Sequence, residues 1–450
     1  MSPAFSTFSA FSASAGRAGR RRALTAATAA ACAVTLLAAT PSSAQGLGQN
    51  SDRPGQSQKQ LVGYFTQWGI YSGFFEKNLI SSGEIKHLTE LDYAFSNIAT
   101  DGTCSSGDSW ADYQRPFAAS ESVTGQADAA GQALLGNFNQ LRELKAANPK
   151  LKIVMSIGGW SWSSHFSGLA ATAAGRQKFV ASCVDQYLKG NIAGLPAGAA
   201  AGVFDGFAVD WEYPGAPGNN NPFGPQDTPD FTALMAEFRT QLDAAAPTGQ
   251  RYLLTANTSA NPTVAANLEL DKIAKVVDWF NVMTFDYHGS WEPAGPTDFA
   301  SALFQDPRDP NPANNRYSVT QAVDYYEQHG VKSSQISLSI PYYAHEWTGV
   351  APGPHGDGLF QTATAGGGTP NYNQVVNAPG KTYFDPLSAE PYKYDAASGT
   401  FYTYDSPASV WIKGQYIRAA ALRGTMVWSL DGDTSDGQLT AALGAGLNGH

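Results

Sequence analysis

The stretch Phe204-Asp205-Gly206-Phe207-Ala208-Val209-Asp210-Trp211-Glu212-Tyr213-Pro214 combines the pattern of a buried strand with carboxyl groups at its C-terminal end. Side chains alternate between the two faces of a strand, so Ala208, Asp210 and Glu212 share one face and the large apolar residues between them share the other. The apolar face indicates packing against helices, which directs Asp210 and Glu212 toward a barrel interior. Such inward acids either form a buried hydrogen-bonded pair or supply acid chemistry, because burial and a neighbouring charge raise a carboxyl pKa.

Seven further short apolar runs rich in β-forming residues occur along the chain, and amphipathic stretches separate them. This alternation is typical of βα units around a parallel sheet, and eight units predict an α/β fold of the closed (β/α)8 TIM-barrel type. The helical patterns include residues 134–147, 176–188, 231–245 and 319–329. The predicted strands are residues 61–66, 91–98, 151–157, 204–211, 252–258, 279–285, 336–343 and 425–430.

The connection between the seventh and eighth predicted strands, residues 344–424, is too long for a simple crossover. Aromatic and polar residues alternate over 381–404, which predicts a small α+β insertion with antiparallel strands. Loops that follow barrel strands lie on the catalytic face, so the insertion would form a wall there. We predict a catalytic domain over residues 61–447 that contains this insertion.

The N-terminal segment has the pattern of a signal peptide. Arg17 and the run Arg20, Arg21, Arg22 precede an apolar stretch over 23–39 and small residues up to Ala44. The apolar stretch is shorter than the roughly 20 residues that a membrane-spanning helix needs. We therefore predict a signal peptide over 1–44, a flexible polar leader over 45–60, and a secreted, extracellular protein with no membrane partner; the export route stays open.

Charge and cysteine content narrow the partners further. Without residues 1–44 the chain has 24 basic and 38 acidic residues, a net charge of −14, which disfavours nucleic acid as a partner. Cys104 and Cys183 then remain, and in an oxidising compartment they form either one disulfide or two buried thiols. Two cysteines without histidines at ligand spacing do not indicate a metal site.

Four motifs in the expected order make the chain similar to a known family. The stretch from Asp205 to Glu212 resembles the Asp-x-x-Asp-x-Asp-x-Glu signature of glycoside hydrolase family 18, and the likeness extends over nearly the whole chain after the signal peptide. The other matching segments are Ser156-Ile157-Gly158-Gly159-Trp160 on the third strand, Met283-Thr284-Phe285-Asp286 on the sixth, and Met426-Val427-Trp428 on the eighth, with Gly63-Tyr64-Phe65 and Tyr342-Tyr343 in the first and seventh.

The resemblance implies a bacterial secreted chitinase that cleaves the β-1,4 linkages of chitin and chitooligosaccharides with retention, as a monomer and without metal or cofactor. In this family the substrate's own acetamide is the nucleophile and an oxazolinium ion is the intermediate. Glu212 would then be the acid and base, Asp210 would orient the acetamide, and Asp286 would hold the distorted sugar. The insertion at 344–424 resembles the α+β domain that deepens the cleft of some bacterial members.

Aromatic residues near the strand ends are candidates for stacking on sugar rings, although core packing is the alternative for each of them. We expect Trp428 to form the floor of subsite −1 and Trp160 and Trp291 to flank it, while Trp68, Trp162 and Trp347 are weaker candidates. Further substrate contacts are predicted for Tyr64, Tyr213, Met283, Phe285 and Tyr343.

Two other functions share this fold and stay open at this point. A lectin of the same fold would bind chitin without the acid, but Glu212, Asp210 and Asp286 are all present. An endo-β-N-acetylglucosaminidase would share the motif and act on N-glycans, but the aromatic residues and the long insertion favour chitin. His288 and His345 are expected to be hydrogen-bonding loop residues, and His345 stands where many relatives have Arg.

The chain departs from the family signature at two positions. Ala208 stands where the family has a second Asp, and Phe285 stands where it has a Tyr whose hydroxyl bonds the acetamide. Tyr343 or Tyr287 could supply a replacement hydroxyl. Without a carboxyl at position 208, Asp210 is expected to ionise readily, which predicts an enzyme that works at lower pH.

The variant Ala208→Asp tests this expectation. A second carboxyl beside Asp210 disfavours its ionisation, so the pH–activity profile should move to higher pH. The measurement is kcat/KM against pH for both proteins, and superimposable profiles would contradict the expectation.

Overall fold

The computed structural model describes residues 59–449. The predicted signal peptide and nearly all of the predicted leader lie outside these residues. Within them, no helix is long and apolar enough to cross a membrane. The domain boundaries drawn from the sequence stay predictions.

Eight parallel strands close into a barrel, which confirms the predicted TIM-barrel fold. They follow the order β1-β14-β8-β7-β6-β5-β4-β2, and pairing of β1 with β2 closes the ring. A short hairpin strand, β3 (Cys104–Ser106), extends β2. The barrel strands are β1 (Gln60–Thr66), β2 (Glu90–Ile98), β4 (Lys152–Gly158), β5 (Gly206–Asp210), β6 (Leu253–Ser259), β7 (Trp279–Met283), β8 (Ile336–Pro341) and β14 (Gly424–Trp428).

Each predicted strand agrees with an observed one to within two residues at either end. Several predicted strands are too long at the C-terminal end, because the apolar pattern continues after the chain has left the sheet. Trp211 and Tyr342, for example, follow the last residues of β5 and β8 and are still 1% or less exposed. The apolar pattern therefore indicates which residues are buried, but it does not indicate where the hydrogen bonds of the sheet end.

Helices surround the barrel, and the four predicted helical patterns correspond to α2, α4, α5 and α8. After α4 the helix continues as a wider turn over Val184–Leu188. The helices are α1 (Glu76–Ser81), α2 (Gly136–Ala147), α3 (Phe166–Ala170), α4 (Ala173–Cys183), α5 (Asp227–Ala245), α6 (Pro262–Ala265), α7 (Leu270–Ile273), α8 (Val319–Gln328), α9 (Tyr372–Val375), α10 (Pro407–Ala419) and α11 (Gln438–Asn448).

A second sheet lies between β8 and β14 in the chain. Its five antiparallel strands follow the order β10-β9-β13-β12-β11 and enclose a small core around Trp347, Tyr392 and Phe401. The strands are β9 (His345–Thr348), β10 (Ala365–Gly366), β11 (Lys381–Asp385), β12 (Glu390–Asp395) and β13 (Thr400–Thr403). The sheet starts only a few residues after β8 ends, so its first strand lies close to the barrel mouth.

Cys104 and Cys183 form a disulfide, which confirms the first of the two alternatives drawn from the sequence. It joins β3 to the last residue of α4. The backbone N–H of Cys104 also donates to Ser182 Oγ at 2.8 Å.

The side chains that point into the barrel are arranged in layers from alternate strands, as in other barrels of this type. One layer is visible directly, because the Tyr64 hydroxyl lies 2.8 Å from Ser156 Oγ and accepts a hydrogen bond from Asn257 Nδ2 at 2.5 Å. Asn281 Nδ2 in turn donates to Asn257 Oδ1 at 3.1 Å. The barrel interior therefore contains a polar network rather than a purely aliphatic core.

A buried cation fixes the second sheet to the outer helices. Lys413 on α10 lies 2.6 Å from Glu390 of β12 and 2.8 Å from Asp405, and all three residues are 1% exposed. Two carboxylates so deeply buried need a neutralising partner, because desolvation of an unpaired charge is costly. Lys413 thus holds β12 against α10.

The variant Lys413→Met should lower the free energy of unfolding by about 3–5 kcal/mol, because it leaves buried carboxyls without their cation. Urea denaturation followed by circular dichroism measures the loss. Lys272→Met is the matched control, since Lys272 pairs with Glu269 at the surface and such pairs contribute about 1 kcal/mol or less. Equal midpoints for Lys413→Met and wild type would contradict this assignment.

Candidate active site

Backbone hydrogen bonds hold the end of β5 in position. The N–H of Glu212 donates to Ser163 Oγ at 3.0 Å, and Asn221 Nδ2 donates to the Glu212 carbonyl at 3.0 Å. Ser163 Oγ also lies 2.8 Å from the carbonyl of Gly159 and 3.2 Å from that of Asp210. One hydroxyl thus connects the ends of β4 and β5 and fixes the residue that carries the candidate acid.

Two glycines allow this close approach of β4 to its neighbours. Gly158 and Gly159 have φ angles of 104° and 74°, which side chains disfavour. A Cβ at Gly158 would lie 2.4 Å from the Asp210 carbonyl, and one at Gly159 would lie 2.7 Å from the Phe95 ring. The Gly-Gly pair in the sequence is therefore a requirement of the packing at the mouth.

Asp210 and Glu212 are both buried, 4% and 8% exposed. Burial raises the pKa of Asp210 to about 7, and a hydrogen bond from Asn257 opposes this rise. Burial also raises the pKa of Glu212 well above its ordinary value, and the charge of Asp210 raises it further. Glu212 therefore keeps its proton at a pH where an ordinary Glu is ionised, which general acid chemistry requires.

The expectation that Asp210 ionises readily is wrong, because burial raises its pKa to about 7. Asp92 of β2 is fully buried in the barrel, and the charge of Asp210 raises its pKa, so the two groups interact. The alternation of β2 places Asp92 on the inward face, but only closure of the barrel brings it toward Asp210. Ala208 itself is buried in register with Ser156.

Asp286 lies just beyond β7 and accepts two hydrogen bonds. The Tyr343 hydroxyl and His345 Nε2 each donate to its Oδ1 at 2.7 Å. Its φ angle of 57° is in the left-handed region, which Asp tolerates better than most residues. The Asp286 side chain is 46% exposed, so it can still face a ligand.

Trp428, at the end of β14, lies among other aromatic rings. Its ring centroid is 5.1 Å from that of Tyr64, 5.5 Å from Phe95 and 6.3 Å from Trp68. These neighbours restrict the Trp428 ring and leave one part of it facing the cleft. Further out, Trp160 and Trp291 are 51% and 53% exposed, and Trp291 packs edge-on against His345.

These residues line one cleft of about 1390 Å³ at the C-terminal end of the barrel. All twelve residues predicted from the sequence lie in its wall, which the sequence order alone could not show. They are Glu212, Asp210, Asp286, Trp428, Trp160, Trp291, Tyr213, Met283, Phe285, Tyr343, Trp68 and Tyr64. Trp162 lines it too, whereas Trp347 is fully buried in the second sheet and donates to the Glu292 carbonyl.

Several lining residues were missed in the sequence. Phe95 of β2 and Met426 of β14 reach the cleft, as do Asn257 and Ser259 of β6. Little in the sequence indicated that these residues line the cleft, because each is a single residue within an apolar or Thr-rich strand. Their position at the C-terminal half of a barrel strand was the available indication.

A TIM barrel with a buried acid at the end of its fourth strand, in a long aromatic cleft, is the arrangement of a glycoside hydrolase. The model of the glycosyl hydrolases family 18 matches residues 60–433. This covers most of the sequence, and the chain belongs to that family.

Individual relatives agree with this assignment. The chain is 33% identical to Chitinase A1 of Niallia circulans over 86% of this chain and 59% of that protein. It is also 33% identical to Chitinase C of Streptomyces lividans over 87% of this chain and 60% of that protein. The chain thus spans about six tenths of the length of these relatives. The solved catalytic domain of psychrophilic chitinase B from Arthrobacter TAD20 is 37% identical, with a TM-score of 0.82 over 87% of this chain and 96% of that one.

The variant Asp210→Asn tests the electrostatic link between the two acids. The Asp210 anion raises the pKa of Glu212, so its removal should lower the pH at which Glu212 ionises. Burial remains, so the pKa should stay above that of an ordinary Glu. Carboxyl carbon NMR titration of both proteins measures this, and an unchanged or higher Glu212 pKa would contradict the link.

Proposed function

We propose that this protein is a secreted chitinase that hydrolyses β-1,4 linkages between N-acetylglucosamine units with retention of configuration. The observation that carries the proposal is the buried Glu212 next to Asp210, its pKa raised by burial and by the Asp210 charge, in the aromatic cleft of a family 18 barrel. Relatives named as chitinases support the choice of substrate.

Glu212 acts first as the acid. Burial and the Asp210 charge keep its proton in place, and the carboxyl faces the cleft. It donates the proton to the glycosidic oxygen, and the bond between that oxygen and the anomeric carbon breaks. The acetamide oxygen of the sugar at subsite −1 forms a new bond to the same carbon, which gives a cyclic oxazolinium ion and releases the leaving sugar as an alcohol.

Asp210 acts on the acetamide. Its Oδ1 is buried without a hydrogen-bond partner, so it is free to accept the acetamide N–H. An anion at this place orients the acetamide oxygen toward the anomeric carbon and stabilises the positive charge that develops on the ring. Water, deprotonated by Glu212, then adds to the anomeric carbon from the face that the leaving sugar occupied, and the product keeps its original configuration.

Asp286 holds the sugar and tunes the acid. Its charge raises the pKa of Glu212, as a smaller contribution after burial and Asp210. Because Tyr343 and His345 both bond one oxygen of Asp286, the other oxygen is oriented and available for a sugar hydroxyl. Removal of one charge-assisted hydrogen bond of this kind costs on the order of 1.5–3 kcal/mol.

Neither Tyr343 nor Tyr287 supplies the hydroxyl that Phe285 lacks. The Tyr343 hydroxyl is engaged with Asp286, and the Phe285 ring packs edge-on against Tyr343. Tyr287 lines the cleft, and its buried hydroxyl has no hydrogen-bond partner among the described residues. The ionisable neighbours of this hydroxyl are Glu390 and Tyr326 and not the catalytic acids, so it lies away from the acetamide.

The aromatic rings give the cleft its preference for a neutral polymer. Trp428 forms the floor of subsite −1, and the exposed rings of Trp160, Trp291 and Trp68 lie along the cleft on either side. Pyranose rings present apolar faces that stack on such planes without the need for charge. We further propose that the protein is exported by its signal peptide and acts as a monomer.

Wild type and Glu212→Gln should differ in their action on chitohexaose. Gln keeps the size of the side chain but has no proton to transfer, so hydrolysis should fall by at least about 10²-fold, the usual contribution of general acid catalysis. Product lengths and anomers are followed by chromatography and NMR, and β-anomers should form first with wild type.

Glu327→Gln is the matched control for Glu212→Gln, since Glu327 is an exposed residue on α8 in the outer layer. It should leave the rate unchanged. Equal activity of Glu212→Gln and wild type would remove Glu212 from its role. Failure of wild type to cleave chitohexaose while still binding it would favour a lectin, and cleavage of N-glycans alone would favour an endo-β-N-acetylglucosaminidase.

A further inference from the structure

A second carboxyl group lies in the barrel interior below the catalytic pair. The hydrogen-bonded residues Tyr64, Ser156 and Asn257 belong to one interior layer and show how a layer passes from strand to strand. Tyr64 is in register with Asp92, and Asp92 is in register with Val154. The member of the layer on β4 is Ser156, which is two residues beyond Val154. From one member to the next, a layer thus skips one strand and moves two residues beyond the residue that is in register.

The same step places Asp92 in one layer with Ala208. Asp92 is in register with Val154 of β4. Ser156 is two residues beyond Val154 and pairs with Ala208 of β5, so the layer that contains Asp92 has Ala208 as its member on β5. The registers between β5, β6, β7, β8 and β14 continue the layer. Its four members, each 1% exposed or less, are Asp92, Ala208, Asn281 and Met426.

Asp92 is therefore the carboxyl group of this layer. Ala208 contributes only a methyl group, and the next inward residue on β5 after Ala208 is Asp210. The layer that contains Asp92 thus lies below the one that contains Asp210, and the layer of Tyr64, Ser156 and Asn257 lies between them.

Asp92 shares a proton with a second acid on its own strand. The carboxyl oxygens of Asp92 and Glu90 are fully buried and accept no hydrogen bond from any other described group. Two ionised carboxylates cannot bond each other, whereas a proton on one lets it donate to the other. Burial raises the pKa of both acids, and Asp92 raises that of Glu90 further, whereas the hydrogen bond with Glu90 lowers that of Asp92. Glu90 therefore holds the shared proton more strongly than Asp92 does.

Other titratable groups around Asp92 and Glu90 come from β1, from β5, and from the residues just before β5 and β14. Tyr64 of β1 feels the charges of Asp92 and Asp210, and Asp210 of β5 raises the pKa of Asp92. Below the pair, Arg423 and Asp205 act on Glu90 with opposite sign. Coupling between two sites is reciprocal, so an ionised Asp92 also disfavours an ionised Asp210.

We propose that Asp92 is a positioning residue for the reaction, because its carboxyl competes with Asp210 for one proton and so controls when Asp210 is an anion. This rests on the proposed function, in which an ionised Asp210 accepts the acetamide N–H. Binding of the acetamide favours the state in which Asp210 is ionised and the proton is on Asp92. One proton passes from Asp210 to Asp92, so the total number of protons on these two carboxyl groups does not change.

The variant Asp92→Asn removes the competitor while keeping the size of the side chain. Asp210 then titrates alone, so the acid limb of the kcat/KM profile, the low-pH range where activity falls, should move to lower pH by about half a unit or more. Asp112→Asn is the matched control: Asp112 is also a fully buried carboxyl with a raised pKa, but it bonds Tyr93, Gln67 and Ser106. The acid limb of the Asp112→Asn profile should lie at the same pH as that of wild type.

The second experiment uses a double variant in which the carboxyl group is moved from β2 to β5. In Asp92→Asn with Ala208→Asp, the layer regains an acid on β5, and the acid limb should return toward higher pH. Ala208→Asp alone adds an acid and should move the limb above that of wild type. This single variant keeps the proposal testable if Asp92→Asn does not fold, because an unmoved limb in it would overturn the proposal.

Carboxyl carbon NMR of Asp210 separates this proposal from the proposed function, since it needs no activity. In Asp92→Asn, Asp210 should ionise at lower pH than in wild type. The same Asp210 titration in both proteins would overturn the role of Asp92, whatever the enzyme hydrolyses. A shift of equal size in Asp112→Asn would also overturn it, because the effect would then be a general one of destabilisation.

Discussion

The cost of ionising a carboxyl group inside the barrel is the constraint on which the rest of the structure depends. Asp92, Asp210 and Glu212 lie on one interior path from the middle of the barrel to its mouth, and burial raises the pKa of each. A hydrophobic interior would expel such groups or leave them all neutral. Instead the neighbouring layer carries hydroxyl and amide groups that bond one another and reach Asp210 through Asn257. Asp92 and Asp210 thereby each have a pKa of about 7, close to the balance between neutral and charged forms, whereas the pKa of Glu212 is raised well above its ordinary value. One acid can then donate a proton while another carries a charge.

The scaffold around these acids holds them at fixed places. The Ser163 hydroxyl ties the end of β4 to that of β5, and Gly158 lets the two backbones approach. On the opposite side, Asp286 is held by Tyr343 and His345, and His345 begins the second sheet. Lys413 fixes that sheet to the outer helices through two buried carboxylates. The wall of the cleft and the acid at its floor are therefore parts of one connected framework.

The sequence predicts the barrel well and selects twelve residues that line one cleft, but it fails for features that depend on the closure of the barrel. The eight strands and the inward direction of Glu212 follow from periodicity alone, because alternation and burial leave a strong pattern. Trp347 was a weaker candidate than Trp291, but its burial could not be predicted, since both residues follow strand ends. Trp347 fills the core of the second sheet, and Trp291 is exposed at the cleft. Asp92 had no signal, because its nearness to Asp210 depends on the stagger between strands that are far apart in sequence. The pairing of Asp286 with His345 depends on the path of the chain after β8 for the same reason.

The most direct measurement for this account is infrared difference spectroscopy of wild type against Glu212→Gln at pH 7, in the region of carboxyl stretching bands. The central claim is that burial and the Asp210 charge raise the pKa of Glu212, so that it keeps its proton at a pH where an ordinary Glu is ionised. The difference spectrum should then show the loss of a protonated carboxyl band in the variant. Loss of carboxylate bands instead would show that Glu212 is ionised in the resting protein and would contradict the claim.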